Sequence, residues 1–433
     1  MQALLLLAGR SRRFWPLNEK TLFPICGKTL LEHQIDRLRA AGLKHITLVG
    51  GAHNLTEAKH LTGLTGVLQK DLDLGMRGAL LVALPKIRAD EPVLIVSGND
   101  VVDSEAYALV MQKAKKGDGA VLAKKMKAYF PGGYLTMKGA RISGIVEKPK
   151  PGSEPSKLVT IVAHVHNDPR SLLASLKHVR PKRDDGYELA LAELFATKRY
   201  AAAPYEGVWR AVKYPWHMVP LLETLLLGIE RPFVGENVSI HPSAVVDGNV
   251  VLGDGVRILP HATIVGPCVI GSGTIVGNNA LVRASSIGNN CVIGYGTEVK
   301  GSVLGHDVWT HMTYLGESVV GNNVSFGGGC ITGNLRLDEG MISSAFDGDR
   351  IDTGLTKLGC IVGDGCRLGI HVSLQPGVNI GAGSFVSSAV VVGTDVPDGS
   401  FVTMKGGEMH VRKNRTTTNA ASKRSNFRSA IST

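Results

Sequence analysis

No two cysteines in this chain form a CxxC pair, and the six present (Cys26, Cys268, Cys291, Cys330, Cys360 and Cys366) are scattered over 433 residues. That spacing argues against a zinc ribbon or a disulfide scaffold. Most of the six sit where small core residues belong, so they read as reduced thiols packed inside a cytoplasmic protein. Long apolar runs are also missing: nothing approaches the ~20 residues that cross a bilayer. The opening run Ala3–Leu7 is too short for a signal-peptide core and has no basic residue before it. A concentrated positive field is missing too. The formal charge is +11, but residues 405–433 hold seven Lys/Arg against one Glu, which leaves about +5 on the rest. So modest a surplus suits phosphorylated small molecules better than nucleic acid. After Gly407 the chain is Thr, Ser, Asn, Lys and Arg with almost no apolar content, and a disordered basic tail over 405–433 is expected.

What is present in quantity is a period of six. From Asn237 to Ala284, second positions are small (Val238, Ala244, Val250, Val256, Ala262, Cys268, Thr274, Ala280) and fourth positions aliphatic (Ile240, Val246, Leu252, Ile258, Ile264, Ile270, Val276, Val282). Six fits neither the 3.6 of a helix nor a simple hairpin; it fits a parallel β-helix whose flat sides are single short strands. Gly, Asn and Asp between the strands serve as corners. The pattern slips around Ser285–Ile287, resumes at Cys291, breaks over Leu335–Lys357 and closes with Gly363–Pro397. A break of some twenty residues is an excursion with a job or an ordered contact.

The amino-terminal half reads differently. The run Ala3–Leu7 is that of a strand buried on both faces, and the small, basic turn Ala8-Gly9-Arg10-Ser11-Arg12-Arg13 follows where an α/β fold binds phosphate. A helix at Leu30–Ala41, a strand at Ile46–Gly50, a helix near Gly78–Leu84 and the strand Val93–Ser97, ending in Gly98-Asn99-Asp100, continue a βαβ alternation. His164 and His166 read as strand residues, Asp184–Glu188 as a helix start and Pro215–Ile229 as a helix at the join.

These residues resemble two known families. Leu7-Ala8-Gly9 through Arg13, then Pro16-Leu17, Lys20, Pro24 and Gly27–His33, look like the signature of sugar-1-phosphate nucleotidyltransferases. Gln69, Leu74-Gly75, Asp100 and Glu147-Lys148-Pro149 follow in the family's order. The resemblance implies that Leu7, Ala8, Gly9 and Arg13 hold the triphosphate, with Lys20 on phosphate and Gln69 and Gly75 facing the base. It also implies Asp100 as the Mg²⁺ ligand and Glu147 and Lys148 at the sugar phosphate. Ser11, Arg12, Met76, Arg77 and Asn99 depart from the pattern, and Ala211 stands where a second metal-binding aspartate is usual. An active transferase and a degenerate nucleotide-sugar binder both stay open.

The repeat resembles the hexapeptide family, whose coils are left-handed and triangular. Within it, Trp309–Glu317 (WTHMTYLGE), Phe326–Gly329 and Gly333-Asn334-Leu335-Arg336 resemble the bifunctional uridylyltransferase/amino-sugar acetyltransferases, closest to the archaeal form. That implies His311 as general base, Tyr314 and Asn334 on the sugar or the oxyanion, and Lys300 and Lys357 on the sugar phosphate. Acetyl-coenzyme A would lie by Gly381-Ala382-Gly383, and a homotrimer is implied. Ser325 replaces a usual Asn. The expected architecture is an α/β Rossmann-like nucleotidyltransferase domain over 1–230 followed by a left-handed parallel β-helix over 234–404. A non-catalytic binding protein is the rival class.

Overall fold

A computed structural model of the chain describes residues 1–424, Arg428 and Ile431, and it resolves into two compact units. Met1–Arg10 and Leu30–Ala211 make the first; Ser11–Thr29 and Val212–Thr433 make the second.

The first unit is built on a nine-stranded mixed sheet. Strand Gln2–Leu6 pairs in parallel with His45–Gly50 on one side and Val93–Ser97 on the other. All five of its residues are buried, Gln2 included, as a strand covered on both faces of a parallel sheet should be. Leu4 and Leu6 join Ile95, Val121 and helices Gly75–Ala83, Pro169–His178 and Gly186–Thr197 in one core. Helix Leu30–Ala40 buries Leu30, Leu31, Ile35 and Leu38, the spacing of one helical stripe. The first run of parallel strands ends at Val93–Ser97, whose other neighbour, Leu158–His166, is antiparallel, and beyond it Gly119–Lys125 and Tyr200–Pro204 pair in parallel again.

The second unit is three parallel sheets of eight, ten and eight strands, each taking every third strand, so the chain winds three strands per coil; the ten-stranded sheet adds the last two strands at its end. Val245 pairs with Thr263 and Val250 with Cys268, steps of 18 residues or three hexapeptides. The step falls to 17 at Val269–Ser286 and to 16 at Val303–Val319, which is the slip visible in the sequence. It then jumps to 42 at Val319–Ile361, because the excursion leaves the coil and forms the hairpin Ile342–Phe346/Asp349–Leu355. The small and aliphatic columns fill one continuous core from Val250 to Val402, with Cys268, Cys291, Cys330, Cys360 and Cys366 in it as free thiols. Burial pushes the Cys291, Cys360 and Cys366 thiols up to about 12. The packing role read from the sequence holds.

Two features of this unit were not legible. Ser11–Thr29 lies along the coil: Trp15 Nε1 donates to Asp398 (3.0 Å), Asn18 Nδ2 to Asp364 (2.9 Å) and the Cys26 N–H to Ser286 (2.7 Å). The tail, expected to be disordered, is ordered as far as Arg424. Glu408–Lys413 pairs antiparallel with Ser400–Lys405, and Asn414 and Thr418 then donate to the Gly383 and Gly365 carbonyls. Polar side chains that bond corner carbonyls order a segment with no apolar content to bury. The rest of the tail expectation falls largely outside the described residues.

Candidate functional site

In the first unit the turn after strand Gln2–Leu6 is held by its neighbours. Asn54 Nδ2 donates to the Leu7 carbonyl (2.8 Å) and His53 Nε2 lies 3.1 Å from the Gly9 carbonyl. Gly9 is exposed, and Arg10 pairs with Asp73 at 2.6 Å. An open cleft of about 620 Å³ lined by Arg10, His53, Lys70 and Asp71–Asp73 lies beyond the carboxyl ends of the parallel strands, where open α/β sheets bind ligands. Gln69 is 2% exposed; its amide nitrogen donates to the Asp71 and Gly75 carbonyls, and its Oε1 has no partner among the described residues. Gly75 sits at φ 51°, and a Cβ there would fall 1.8 Å from Asp184 Oδ1, so only glycine fits.

Asp100 opens the short strand Asp100–Val102, and its cross-strand partner is Ala211. Trp209 Nε1 donates to Asp100 Oδ1 (2.9 Å). Buried Gln34, fixed by Tyr107, donates to the Asp100 carbonyl (2.6 Å) and holds the strand in place. The residue that would supply a second carboxylate therefore stands opposite the first, and here it is a methyl group. No group of three His, Cys, Asp or Glu able to hold a metal occurs among the described residues. A lone carboxylate can hold a divalent cation where substrate phosphates supply the other ligands. Glu147 pairs with Lys148 at 3.1 Å. Burial, reinforced by the charges of Glu147 and Asp184, pushes Glu188 up to about 7, although in the sequence Glu188 reads only as part of a helix start.

Arg13 and Lys20 belong to Ser11–Thr29 and thus to the second unit. The loop that carries them closes on itself: Ser11 Oγ donates to Glu19 (3.0 Å), and Glu19 accepts the Thr21 N–H and hydroxyl. Ser11 adopts φ 47°, a left-handed conformation that favours glycine. Arg77, another departure, donates to the Leu176 carbonyl at 2.8 Å and is structural. His164 and His166 lie in strand Leu158–His166, 1% and 0% exposed, bonded to the Tyr187 and Tyr200 hydroxyls.

In the second unit one cluster forms around Glu317. Lys300 Nζ lies 3.0 Å from Glu317 Oε1, and Asn334 Nδ2 donates to the other Glu317 oxygen and to the Tyr314 hydroxyl (3.2 Å). The coil brings Tyr314 and Lys300 to one face, since Tyr314 pairs with Glu298 and Gly316 with Lys300. Gly316 has no room for a side chain: a Cβ would lie 2.6 Å from the Tyr314 hydroxyl oxygen. The excursion returns at Leu358, whose N–H donates to the Asn334 carbonyl, so Lys357 ends beside Asn334. His311 is exposed on the corner before Tyr314, its ring centroid 6.5 Å from that of Tyr295. Glu317 ends the motif Trp309–Glu317 without a role legible in the sequence, because its lysine partner, Lys300, lies one coil earlier.

Gly381–Gly383 is not joined to this cluster by any hydrogen bond among the described residues. Its three N–H groups are engaged by the Val396 carbonyl, Asp398 Oδ1 and the Asp364 carbonyl.

A cleft on an α/β sheet and a polar cluster on a coiled parallel β-domain give a class of protein with two separate candidate sites. Residues 3–231 match the MobA-like NTP transferase domain and 229–320 the GMPPB C-terminal domain. The chain is 30% identical over 430 residues to the bifunctional sugar-1-phosphate nucleotidylyltransferase/acetyltransferase of Sulfurisphaera tokodaii, covering 93% of this chain and 99% of that one. It is 27% identical over 440 residues to the bifunctional protein GlmU of Methanococcus vannielii, covering 95% and 100%. The chain belongs to this family of bifunctional sugar-1-phosphate nucleotidylyltransferase/acetyltransferases, and its residues 3–231 to the MobA-like NTP transferase domain.

Proposed function

We propose that the chain is a cytoplasmic, homotrimeric enzyme with two activities. It joins a nucleoside triphosphate to a sugar 1-phosphate, and it acetylates the amino group of an amino-sugar 1-phosphate from acetyl-coenzyme A. The match to the Sulfurisphaera tokodaii relative along nearly the whole of both chains carries this reading. The coil is then the left-handed β-helix of hexapeptide acyltransferases. In nucleotidyl transfer a sugar-phosphate oxygen attacks the α-phosphorus and pyrophosphate leaves. Arg13 and Lys20 neutralise the triphosphate, the turn Leu7–Gly9 cradles it, and the free Oε1 of Gln69 accepts an N–H from the base, with Gly75 beside it. Glu147 and Lys148 receive the sugar 1-phosphate. Asp100 would hold Mg²⁺ with the nucleotide's phosphates, and the ion would offset the charge of the two anions.

In acetyl transfer the amine nitrogen attacks the thioester carbonyl, its proton passes to the His311 imidazole, and the coenzyme thiolate leaves. Tyr314 and Asn334 meet the sugar or the oxyanion, while Lys300 and Lys357 meet its phosphate. Gly381-Ala382-Gly383 stays the proposed place for the coenzyme, approached along the coil surface since its N–H groups are engaged. Exposed Tyr295, Met312, Ile331, Ile370 and Val391 favour a second copy against the corner and face that carry His311 and Tyr314.

Ala211 favours a second reading, in which the first site binds nucleotide sugar without turnover. Pyrophosphate release, assayed with the four nucleoside triphosphates and several sugar phosphates, separates the two. Release with at least one pair is expected; binding of nucleotide sugar with no release under any pair would leave acetyl transfer as the sole activity.

A further inference from the structure

The tail does more than fold back. Past Thr418 it follows the coil corners: Asn323 Nδ2 donates to the Asn419 carbonyl (3.0 Å), the Arg424 guanidinium stands 5.5 Å over the Trp309 ring, and Arg257 Nη2 donates to the Arg428 carbonyl (3.3 Å). Arg257, Trp309 and Arg367 belong to one outward column of a single sheet, linked through Ile275, Val292 and Ser325. Two arginines of the tail, Arg424 and Arg428, therefore meet beside Trp309, with Arg367 two strands and Arg257 three strands away along the column.

The opposing charge is small. Asp307 is the carboxylate felt by both Arg424 and Arg428, and burial raises its own pKa. Burial, then the charge of Arg424, lowers Arg367 to about 10. Arg367 spends its nitrogens on Asn323 and the Cys366 carbonyl. Arg424 Nη1 reaches the Asp307 carbonyl at 3.4 Å, whereas Arg424 Nη2 is buried with no hydrogen-bond partner among the described residues. A buried guanidinium N–H left unpaired is costly, and an anion removes that cost. Beside it lies a cavity of about 310 Å³ lined by Asn290, Asp307, Trp309, Ser422, Arg424 and Arg428, room enough for a phosphate or pyrophosphate.

We infer that this cavity is an anion site for a phosphoryl group, formed jointly by coil and tail, and that its occupant pins the tail to the coil. Arg424 and Arg428, which line the cavity, supply the charge, and planar guanidinium forks match phosphate oxygens. The inference stands apart from either proposed reaction.

The test is hydrogen exchange of residues 414–424 in the full chain. It is run against inorganic phosphate, pyrophosphate, ATP and coenzyme A, with ionic strength held constant by potassium chloride. Saturable slowing of exchange is expected, strongest with pyrophosphate if the phosphoryl group alone is bound, and strongest with ATP or coenzyme A if it arrives on a nucleotide. Arg428→Gln should weaken the half-saturation by about tenfold, the scale of one charge-assisted hydrogen bond. Asp307→Asn, which keeps the left-handed corner at φ 58°, should tighten it. Exchange that responds equally to chloride, or half-saturation unmoved in both variants, would overturn the site.

Discussion

Acidification should loosen the first unit through two histidines that the sheet buries. His164 and His166 are each lowered to about 3, chiefly by burial, and for His166 also by His164. Both bond the Tyr187 hydroxyl, and His166 bonds Tyr200 as well, so the network ties strand Leu158–His166 to helix Gly186–Thr197 and strand Tyr200–Pro204. In the unfolded chain each histidine titrates near ~6.5. Between pH 6.5 and 3 the unfolded state therefore binds more protons, and stability is complete above 6.5 and lost as pH falls. At pH 5 linkage gives about 2 kcal/mol per histidine and about 4 for the pair. Because the chain has two units, a global melt would mix them. The assay is native-state exchange of the amides of 158–166 at pH 7.5 and 5.0, corrected for intrinsic rates, in the wild type and in the double variant His164→Gln/His166→Gln. The wild type should lose about 4 kcal/mol more protection than the variant. Equal losses in both would refute the reasoning and leave carboxylates as the cause of any acid sensitivity.

The remaining predictions concern the sites and the coil. Ala211→Asp places a second carboxylate opposite Asp100 and should raise pyrophosphate release at limiting Mg²⁺ by about tenfold or more; an unchanged rate would show that one carboxylate suffices. Lys300→Met removes the cation paired with Glu317 and should raise KM for the amino-sugar phosphate by about tenfold with little change in kcat; a fall in kcat alone would contradict a binding role. Ile270→Ala, in the middle of the coil core, should cost about 2–5 kcal/mol, read as a lower urea midpoint for the second unit.

The coil was the most legible part, because a period of six with two apolar columns leaves each strand one way to face. The same columns, Val250 to Val282, line the core. The parallel strands of the first unit were legible for a related reason, since a run buried on both faces cannot alternate. Ser11–Thr29 could not be placed, because its contacts with Ser286, Asp364 and Asp398 are single polar pairs more than 250 residues away. The tail misled for the same reason: composition reports apolar burial, and 414–424 is held by hydrogen bonds to coil corners and a guanidinium over Trp309. The Lys300–Glu317–Asn334–Tyr314 cluster was half legible. The resemblance gave roles to Lys300, Tyr314 and Asn334, and the part played by the motif's own Glu317 in joining them needed the coil.

The central claim is that the β-domain is an acetyltransferase whose base is His311. The direct test is thiol release from acetyl-coenzyme A with glucosamine 1-phosphate and galactosamine 1-phosphate, comparing the wild type with His311→Ala of unchanged oligomeric state. Loss of a general base predicts a fall of roughly 10²–10⁴. A variant within about threefold of the wild type would contradict the account.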